Sequence, residues 1–235
     1  MARRVVLIPV YNEERHLEGL LARLREIYSD DVLLIDDGSV DGSPCILKSA
    51  NDSRTHTILQ QQNRGYGATL VTGFKEVVRL GYDYVITMDS DGQHRPDWIP
   101  GFFELIPNWD IVSGSRYCQE SDGTGEVPPD RRAINARVTE CLNRITGFAL
   151  TDSFCGFKAY RVEALARMDL TEMGYAMPLQ VWLQAKHLGL RVTERPVSRI
   201  YDDPNRRFGG ELDNPEVRIK LYLDTIEKER LRWNL

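Results

Sequence analysis

Short apolar runs and helical stretches take turns along the first half of this chain, and that alternation restricts its architecture more than any other feature. "RRVVLIPV" is apolar on both faces, the pattern of a strand buried inside a parallel sheet. "DVLLIDD", "THTILQ", "YDYVITMD" and "WDIVSGSRY" read as further strands. Between them, "NEERHLEGLLARLREIY" repeats leucine at helical spacing through Leu17, Leu20, Leu21 and Leu24. "DGSPCILKSA" turns into a helix with Asp41 or Ser43 as its cap and Pro44 in its first turn. "GYGATLVTGFKEVVRLGY" starts another helix, and "RPDWIPGFFELI" a short one. Strands that alternate with helices predict an α/β fold, a mainly parallel sheet with helices on both faces. Ligands in such sheets bind beyond the carboxyl ends of the strands. Three of these strands end in polar clusters, "PVYNE", "DDGSVDGS" and "MDSDGQH", so all three are expected to open onto one edge.

The second half is less regular. "QESDGTGEVPPD" and "YDDPNRRFGGELDNP" are rich in Gly, Pro and charge and read as long mobile loops. "RRAINARVTECLNRITG" is a helix stopped by Gly147. "DSFCGFKAYR" reads as a strand or turn close to the site. "QVWLQAKHLGL" is helical, and "RVTERPVSRI" suits an edge strand because Pro196 has no amide for a ladder. "PEVRIKLYLDTIEKERL" forms a short C-terminal helical extension, with Ile219, Tyr222, Leu223 and Ile226 on one face. No repeat or linker interrupts the 235 residues, so a single domain is expected, with residues 1–116 handling the nucleotide and 117–235 the acceptor.

With 42% hydrophobic and 28% charged residues the chain suits a globular protein rather than a disordered one. Its net charge of −5, without a basic block, argues against a nucleic-acid partner. Cys45, Cys118, Cys141 and Cys155 form no C-x-x-C pair, which argues against structural zinc and for a reducing, cytoplasmic compartment. The opening "MARRVVLIPVYNEE" has too short an apolar run for a secretion signal. No stretch approaches the roughly 18 apolar residues of a membrane span. Any membrane contact is therefore expected to be peripheral, at the cytoplasmic face.

The chemistry centres on "MDSDGQH". Asp89 and Asp91 lie one residue apart at a strand end, and two such carboxylates repel unless a cation sits between them. An EF-hand beginning at Asp89 would need Gly and Glu where His94 and Pro100 stand, and one beginning at Asp37 ends on Lys48. An aspartyl phosphatase would place its D-x-D nearer the first strand, with Thr or Val where Gln93 stands. A nucleotidyltransferase would carry a Gly-rich basic loop where "PVYNEERH" stands. Carboxylates suit Mg²⁺ or Mn²⁺, which commonly share them with substrate phosphates, so a metal-held diphosphate is expected. Gln93 or His94 would complete the shell. The start of "NRGYGATL" offers helix amides to a phosphate or, equally, tight packing. Asp36 or Asp37 can accept hydrogen bonds from a ribose or base.

Six segments, "IPVYNEE", "LLIDDGSVDGS", "NRGYGATLVTGF", "MDSDGQHRPDWI", "SGSRY" and "TDSFCGFKAYR", occur in the order and spacing of the inverting family 2 glycosyltransferases of GT-A (Rossmann-like) fold. The chain most resembles the polyprenyl-phosphate glycosyltransferases of that family, the dolichyl-phosphate mannose synthase type. The resemblance implies a hexose moved from a nucleotide sugar, GDP-mannose or UDP-glucose in type, to a polyprenyl phosphate at a membrane surface. It implies that Pro9, Tyr11, Glu13 and Asp37 line the nucleotide pocket. Asp89, Asp91 and Gln93 would ligate Mg²⁺ or Mn²⁺, and Arg116 and Arg131 (or its neighbour Arg132) would face phosphates. The synthases close over the donor with a loop bearing Gly, Ser and Lys; here "NRRFGGELD" stands instead, and Arg206 or Arg207 would supply the charge. A phosphate acceptor needs no base, whereas a sugar hydroxyl would need one, for which Asp152 is the candidate. A relative that binds a nucleotide sugar without turnover is the remaining alternative, and a donor-hydrolysis assay with Mn²⁺ separates it from an enzyme. Oligomeric state is not legible.

Overall fold

The structure, a computed structural model, describes residues 2–201 and 209–235. In chain order its elements are β1 (Arg4–Val10), α1 (Glu14–Ile27), β2 (Asp31–Asp36), α2 (Ser43–Ala50), β3 (Thr55–Leu59), α3 (Tyr66–Arg79), β4 (Tyr84–Thr87), α4 (Ile99–Leu105) and β5 (Ile111–Ser115). There follow β6 (Gly123–Thr124), α5 (Pro129–Thr146), β7 (Lys158–Arg161), α6 (Val162–Leu165), α7 (Met177–His187), β8 (Val192–Pro196), β9 (Arg199–Ile200) and α8 (Pro215–Trp233).

The main sheet runs β3-β2-β1-β4-β7-β5-β8. All its pairings are parallel except those of β7, which lies antiparallel between β4 and β5. β8 is the edge strand that Pro196 suggests. Both faces are covered, and side-chain alternation decides which residue goes where. On one face Val5, Leu7, Leu33, Ile35 and Val85 pack against Leu70, Phe74 and Val77 of α3 and a cluster from α5, α7 and α8. On the other, Val6, Ile8, Val32, Leu34 and Ile86 meet Leu17, Leu20 and Leu24 of α1, Leu47 of α2 and Phe102 of α4.

Three expectations are modified. The helix expected to start at an Asp41 or Ser43 cap begins at Ser43, after Gly42; Asp41 instead accepts from the amides of Ser43 (2.9 Å) and Glu14 (3.1 Å). The first loop expected to be mobile is tied down. Its β6 pairs with β9, and the amides of Arg199 and Tyr201 donate to Asp122 O and Thr124 O. Residues 202–208 of the second such loop, with Arg206, Arg207 and Phe208, lie outside the described residues.

The third concerns α8, whose buried stripe is Arg218, Tyr222, Thr225, Ile226 and Glu229, so two charges point inward. Glu229, 1% exposed, accepts from Gln180 Nε2 (2.8 Å), Gln184 Nε2 (3.2 Å) and Trp233 Nε1 (2.8 Å). Truncation would leave these donors unsatisfied in the core between α7 and α8. Glu229→Ala is expected to cost about 3 kcal/mol of stability. Urea unfolding checks this, and a midpoint equal to that of the parent would contradict it.

Candidate active site

The three polar strand ends do meet, and much of their polarity is spent on one another. The Asn12 amide donates to Ser39 Oγ and the Val40 amide to Asn12 Oδ1, both at 2.9 Å. The Glu13 amide donates to Ser43 Oγ (2.9 Å) and the Gly42 amide to Glu14 Oε2 (2.6 Å). Asp36 Oδ2 accepts from the amides of Gly38 and Ser39. Asp37 accepts from the amides of Arg64 (2.8 Å) and Gly65 (2.9 Å), which fastens the end of β2 to the start of α3. Gly38 turns the chain there with φ +71°, and an added Cβ would lie 2.4 Å from Gln62 C.

The start of α3 is packed against protein backbone. The Ala68 amide donates to Met173 O (3.0 Å), and a Cβ on Gly67 would lie 2.6 Å from Glu172 O. Of the two readings of "NRGYGATL", the glycines thus serve close packing.

Beyond the strand ends lies a cavity of about 610 Å³. Pro9, Tyr11, Glu13, Asp37, Asp89, Asp91, Gln93, Arg116 and Arg131 all line it. Of the paired arginines, Arg131 lines the cavity and Arg132 does not. Arg206 lies outside the described residues. Asp89 Oδ1 accepts from Tyr66 Oη at 3.0 Å, and burial together with the Asp89 charge holds that phenol well above its ordinary pKa, so it stays a donor. Asp91 Oδ1 accepts from the Gln93 amide (2.9 Å), an Asx turn that sets the loop. His94 is not among the lining residues. Its Nδ1 accepts from the Asp89 amide (2.9 Å) and its ring packs edge-on to Phe157, so it braces the loop from behind.

Asp152, the candidate base, is fully buried and does not line the cavity. It accepts from Arg116 Nε (2.6 Å), Arg116 Nη2 (3.0 Å), Asn135 Nδ2 (2.8 Å) and the amides of Arg116 and Phe154, both at 3.2 Å. Burial alone would raise its pKa. The Arg116 charge and these bonds outweigh burial and bring it down to about 2. Burial would lower Arg116 in turn, but Asp152 keeps it well above its usual value. Behind the pair, Glu194 of β8 accepts from the Thr151 and Asp152 amides (2.7 and 3.0 Å).

Sequence reasoning missed Tyr66, Tyr175, Arg218 and Tyr222 as cavity residues, whereas Phe154, an apolar residue of "DSFCGF" suited to touch lipid, does line the cavity. Arg218 is only 2% exposed, bonded to Asp130 (2.5 Å) and Leu212 O (2.8 Å). Its one signal was position: it stands one turn before Tyr222 on a predicted helix.

Two carboxylates and a Gln93 amide are hard donors of the kind Mg²⁺ and Mn²⁺ prefer. Among the described residues no three His, Cys, Asp or Glu side chains form a group that could hold a metal unaided. Asp89, Asp91 and Gln93 line the cavity together and offer hard donors for part of a metal's shell. The placement of Asp89 depends on Gly156, where a Cβ would lie 2.5 Å from Asp89 Oδ2 and 2.9 Å from Tyr66 Oη. Gly156→Ala is expected to lower transfer about 100-fold by displacing Asp89, a small misplacement with a large kinetic effect. Steady-state kinetics beside a thermal melt checks this; unchanged kcat/KM would contradict it.

Residues 5–168 match the family model described as Glycosyl transferase family 2. The chain is 31% identical over 241 residues to the undecaprenyl-phosphate mannosyltransferase of Micrococcus luteus, covering 99% of each chain. It is 30% identical over 205 residues to the polyprenol monophosphomannose synthase of Mycolicibacterium smegmatis, covering 83% of this chain and 77% of that one. The fold superposes on glucosyl-3-phosphoglycerate synthase from Mycobacterium tuberculosis, solved with Mn²⁺, UDP and glucosyl-3-phosphoglycerate. The TM-score there is 0.72 at 16% identity, over 97% of this chain and 80% of that one. The sheet order, the helices on both faces and this superposition make the fold GT-A-like, and the chain is a glycosyltransferase belonging to glycosyl transferase family 2.

Proposed function

We propose that this glycosyltransferase moves a hexose from a nucleotide sugar, of GDP-mannose or UDP-glucose type, onto a polyprenyl phosphate at the cytoplasmic face of a membrane, with inversion at the anomeric carbon. One observation carries the acceptor assignment. Of the described cavity residues after Arg116, none is Asp, Glu or His; the charged ones are Arg131 and Arg218, and most of the rest are aromatic or apolar. Such a wall suits an acceptor that is already an anion and brings apolar surface. The relatives named for undecaprenyl phosphate and polyprenol support the same class.

The mechanism needs no proton acceptor from the protein. A phosphate monoester has its second pKa near 6 and is ionised at neutral pH. One of its oxygens attacks the anomeric carbon in line, and the bond from that carbon to the nucleoside diphosphate breaks with its electron pair. Asp89, Asp91 and Gln93 would hold Mg²⁺ or Mn²⁺, which when bound neutralises charge on the departing diphosphate. Arg116, held by Asp152, presents a fixed guanidinium to phosphate oxygens, and Arg131 a second. Asp152 on this reading is a positioning residue. Pro9, Tyr11 and Glu13 form the nucleotide side, where Asp37 shapes the wall through the Arg64 and Gly65 amides.

No described helix is long and apolar enough to cross a membrane, so the lipid would be met at the surface. The test offers labelled GDP-mannose and UDP-glucose with Mn²⁺ to undecaprenyl phosphate, to undecaprenol and to free glycans. Label entering only the phosphate-bearing lipid is expected. Label entering undecaprenol or glycans but not the lipid phosphate would overturn the reading.

A further inference from the structure

We infer that Ile134, Phe154, Tyr175, Pro178 and Tyr222 form a seat for the first prenyl units of the acceptor, the part of the lipid next to its phosphate. This rests on the phosphate-acceptor reading and adds to it a specificity site for chain.

These five side chains come from four separate parts of the chain: α5, the segment before β7, the start of α7, and α8. They line the same cavity as Asp89 and Arg116. Phe154 and Tyr222 stack obliquely with ring centroids 4.8 Å apart. Tyr175 stacks on Tyr66 at 5.7 Å and 12°, and Tyr66 Oη is the donor to Asp89 Oδ1. The aromatic wall therefore reaches the carboxylates directly.

Two helices repeat one pattern. On α5, Arg131 is followed one turn later by Ile134; on α8, Arg218 is followed one turn later by Tyr222. Residues three and four apart share a helix face. Each helix thus presents a guanidinium and then an apolar side chain, the order a ligand with an anionic head and a hydrocarbon tail would meet. The lining also grades from closed to open. Tyr222 is 3% exposed and Ile134 8%, whereas Tyr175 is 38% exposed and nearby Met173 43%. A long chain held at the inner end would leave past Tyr175. A small hydrophilic phosphate such as 3-phosphoglycerate has nothing to place on these rings.

The test uses the full chain, labelled donor and a series of prenyl phosphates of five, ten and fifteen carbons, with 3-phosphoglycerate as the chainless probe. Acceptor KM is expected to fall about threefold to tenfold for each isoprene unit that enters the seat, since each buries apolar surface, and 3-phosphoglycerate to be a poor acceptor. Phe154→Ala is expected to raise KM for the fifteen-carbon phosphate about tenfold, with KM for the nucleotide sugar unchanged. Tyr175→Ala, at an exposed position outside the core, is expected to do the same to a smaller degree. Transfer with a KM indifferent to chain length would overturn the seat and leave the phosphate-acceptor reading standing. So would variants that weaken the nucleotide sugar instead, which would give the rings to the donor. No transfer to any prenyl phosphate would remove the reading and the seat together.

Discussion

Asp91→Ala and Asp89→Ala are each expected to lower hexose transfer by about 10³-fold or more while the protein stays folded. Both carboxylates line the cavity, so truncating them leaves the apolar core intact. The charge that develops on a departing diphosphate is the largest electrostatic demand of this reaction, and losing one fixed stabiliser of such charge typically costs 10²–10³-fold. Loss of a metal as well would cost more. The two variants should also lose the extra thermal stabilisation that Mn²⁺ adds to nucleoside diphosphate binding. Full activity in either variant, or in the parent protein with excess chelator, would contradict the assignment.

The Arg116–Asp152 pair is expected to show the other large effect, in stability as well as rate. Asp152→Ala strands a partly buried guanidinium at the cavity wall and should cost about 3 kcal/mol. Arg116→Lys loses the two-point hold on Asp152, since an ammonium cannot form it, and should lower kcat with little change in nucleotide affinity. The pair also sets a pH dependence. Asp152 has its pKa depressed from 3.8 to about 2 in the folded state. Its contribution is therefore complete above the unfolded value, near pH 4–5, and is lost as pH falls toward 2. The amount is on the order of 2 kcal/mol. Melting curves of the parent and of Asp152→Asn should thus differ most at neutral pH and converge in acid. If Asp152→Asn instead melted like the parent and lost only transfer to a hydroxyl acceptor, Asp152 would be acting as a base.

Much of this was readable from residue order alone. The first five strands and their helices follow from periodicity, because a strand buried on both faces and an amphipathic helix have different repeats. The polar strand ends were visible because carboxylates and glycines are out of place after apolar runs. What those polar groups do was less legible. Asn12, Ser39 and Asp37 bond neighbouring loops, and sequence cannot separate a loop-fastening carboxylate from a ligand-binding one. The insertion of β7 against the parallel direction was hidden because its partners β4 and β5 lie far away in the chain. The burial of Arg218 and Glu229 on α8 was hidden for a related reason. Their burial depends on Asp130 and Gln180, partners supplied by α5 and α7. Asp152 stood out as a carboxylate near the site, but its cover by Arg116 depends on the fold bringing two segments 36 residues apart together.

The central claim is that the sugar is joined to an acceptor phosphate, and the phosphorus of the product reports on it most directly. Undecaprenyl phosphate, nucleotide sugar and Mn²⁺ should be incubated with the enzyme and the lipid phase followed by ³¹P NMR as pH is varied. The account predicts a phosphodiester whose resonance no longer titrates near pH 6, because the second ionisation of the monoester, about 6, is gone. With undecaprenol or a free glycan supplied alongside, sugar recovered on that hydroxyl while the lipid phosphorus still titrates near pH 6 would contradict it.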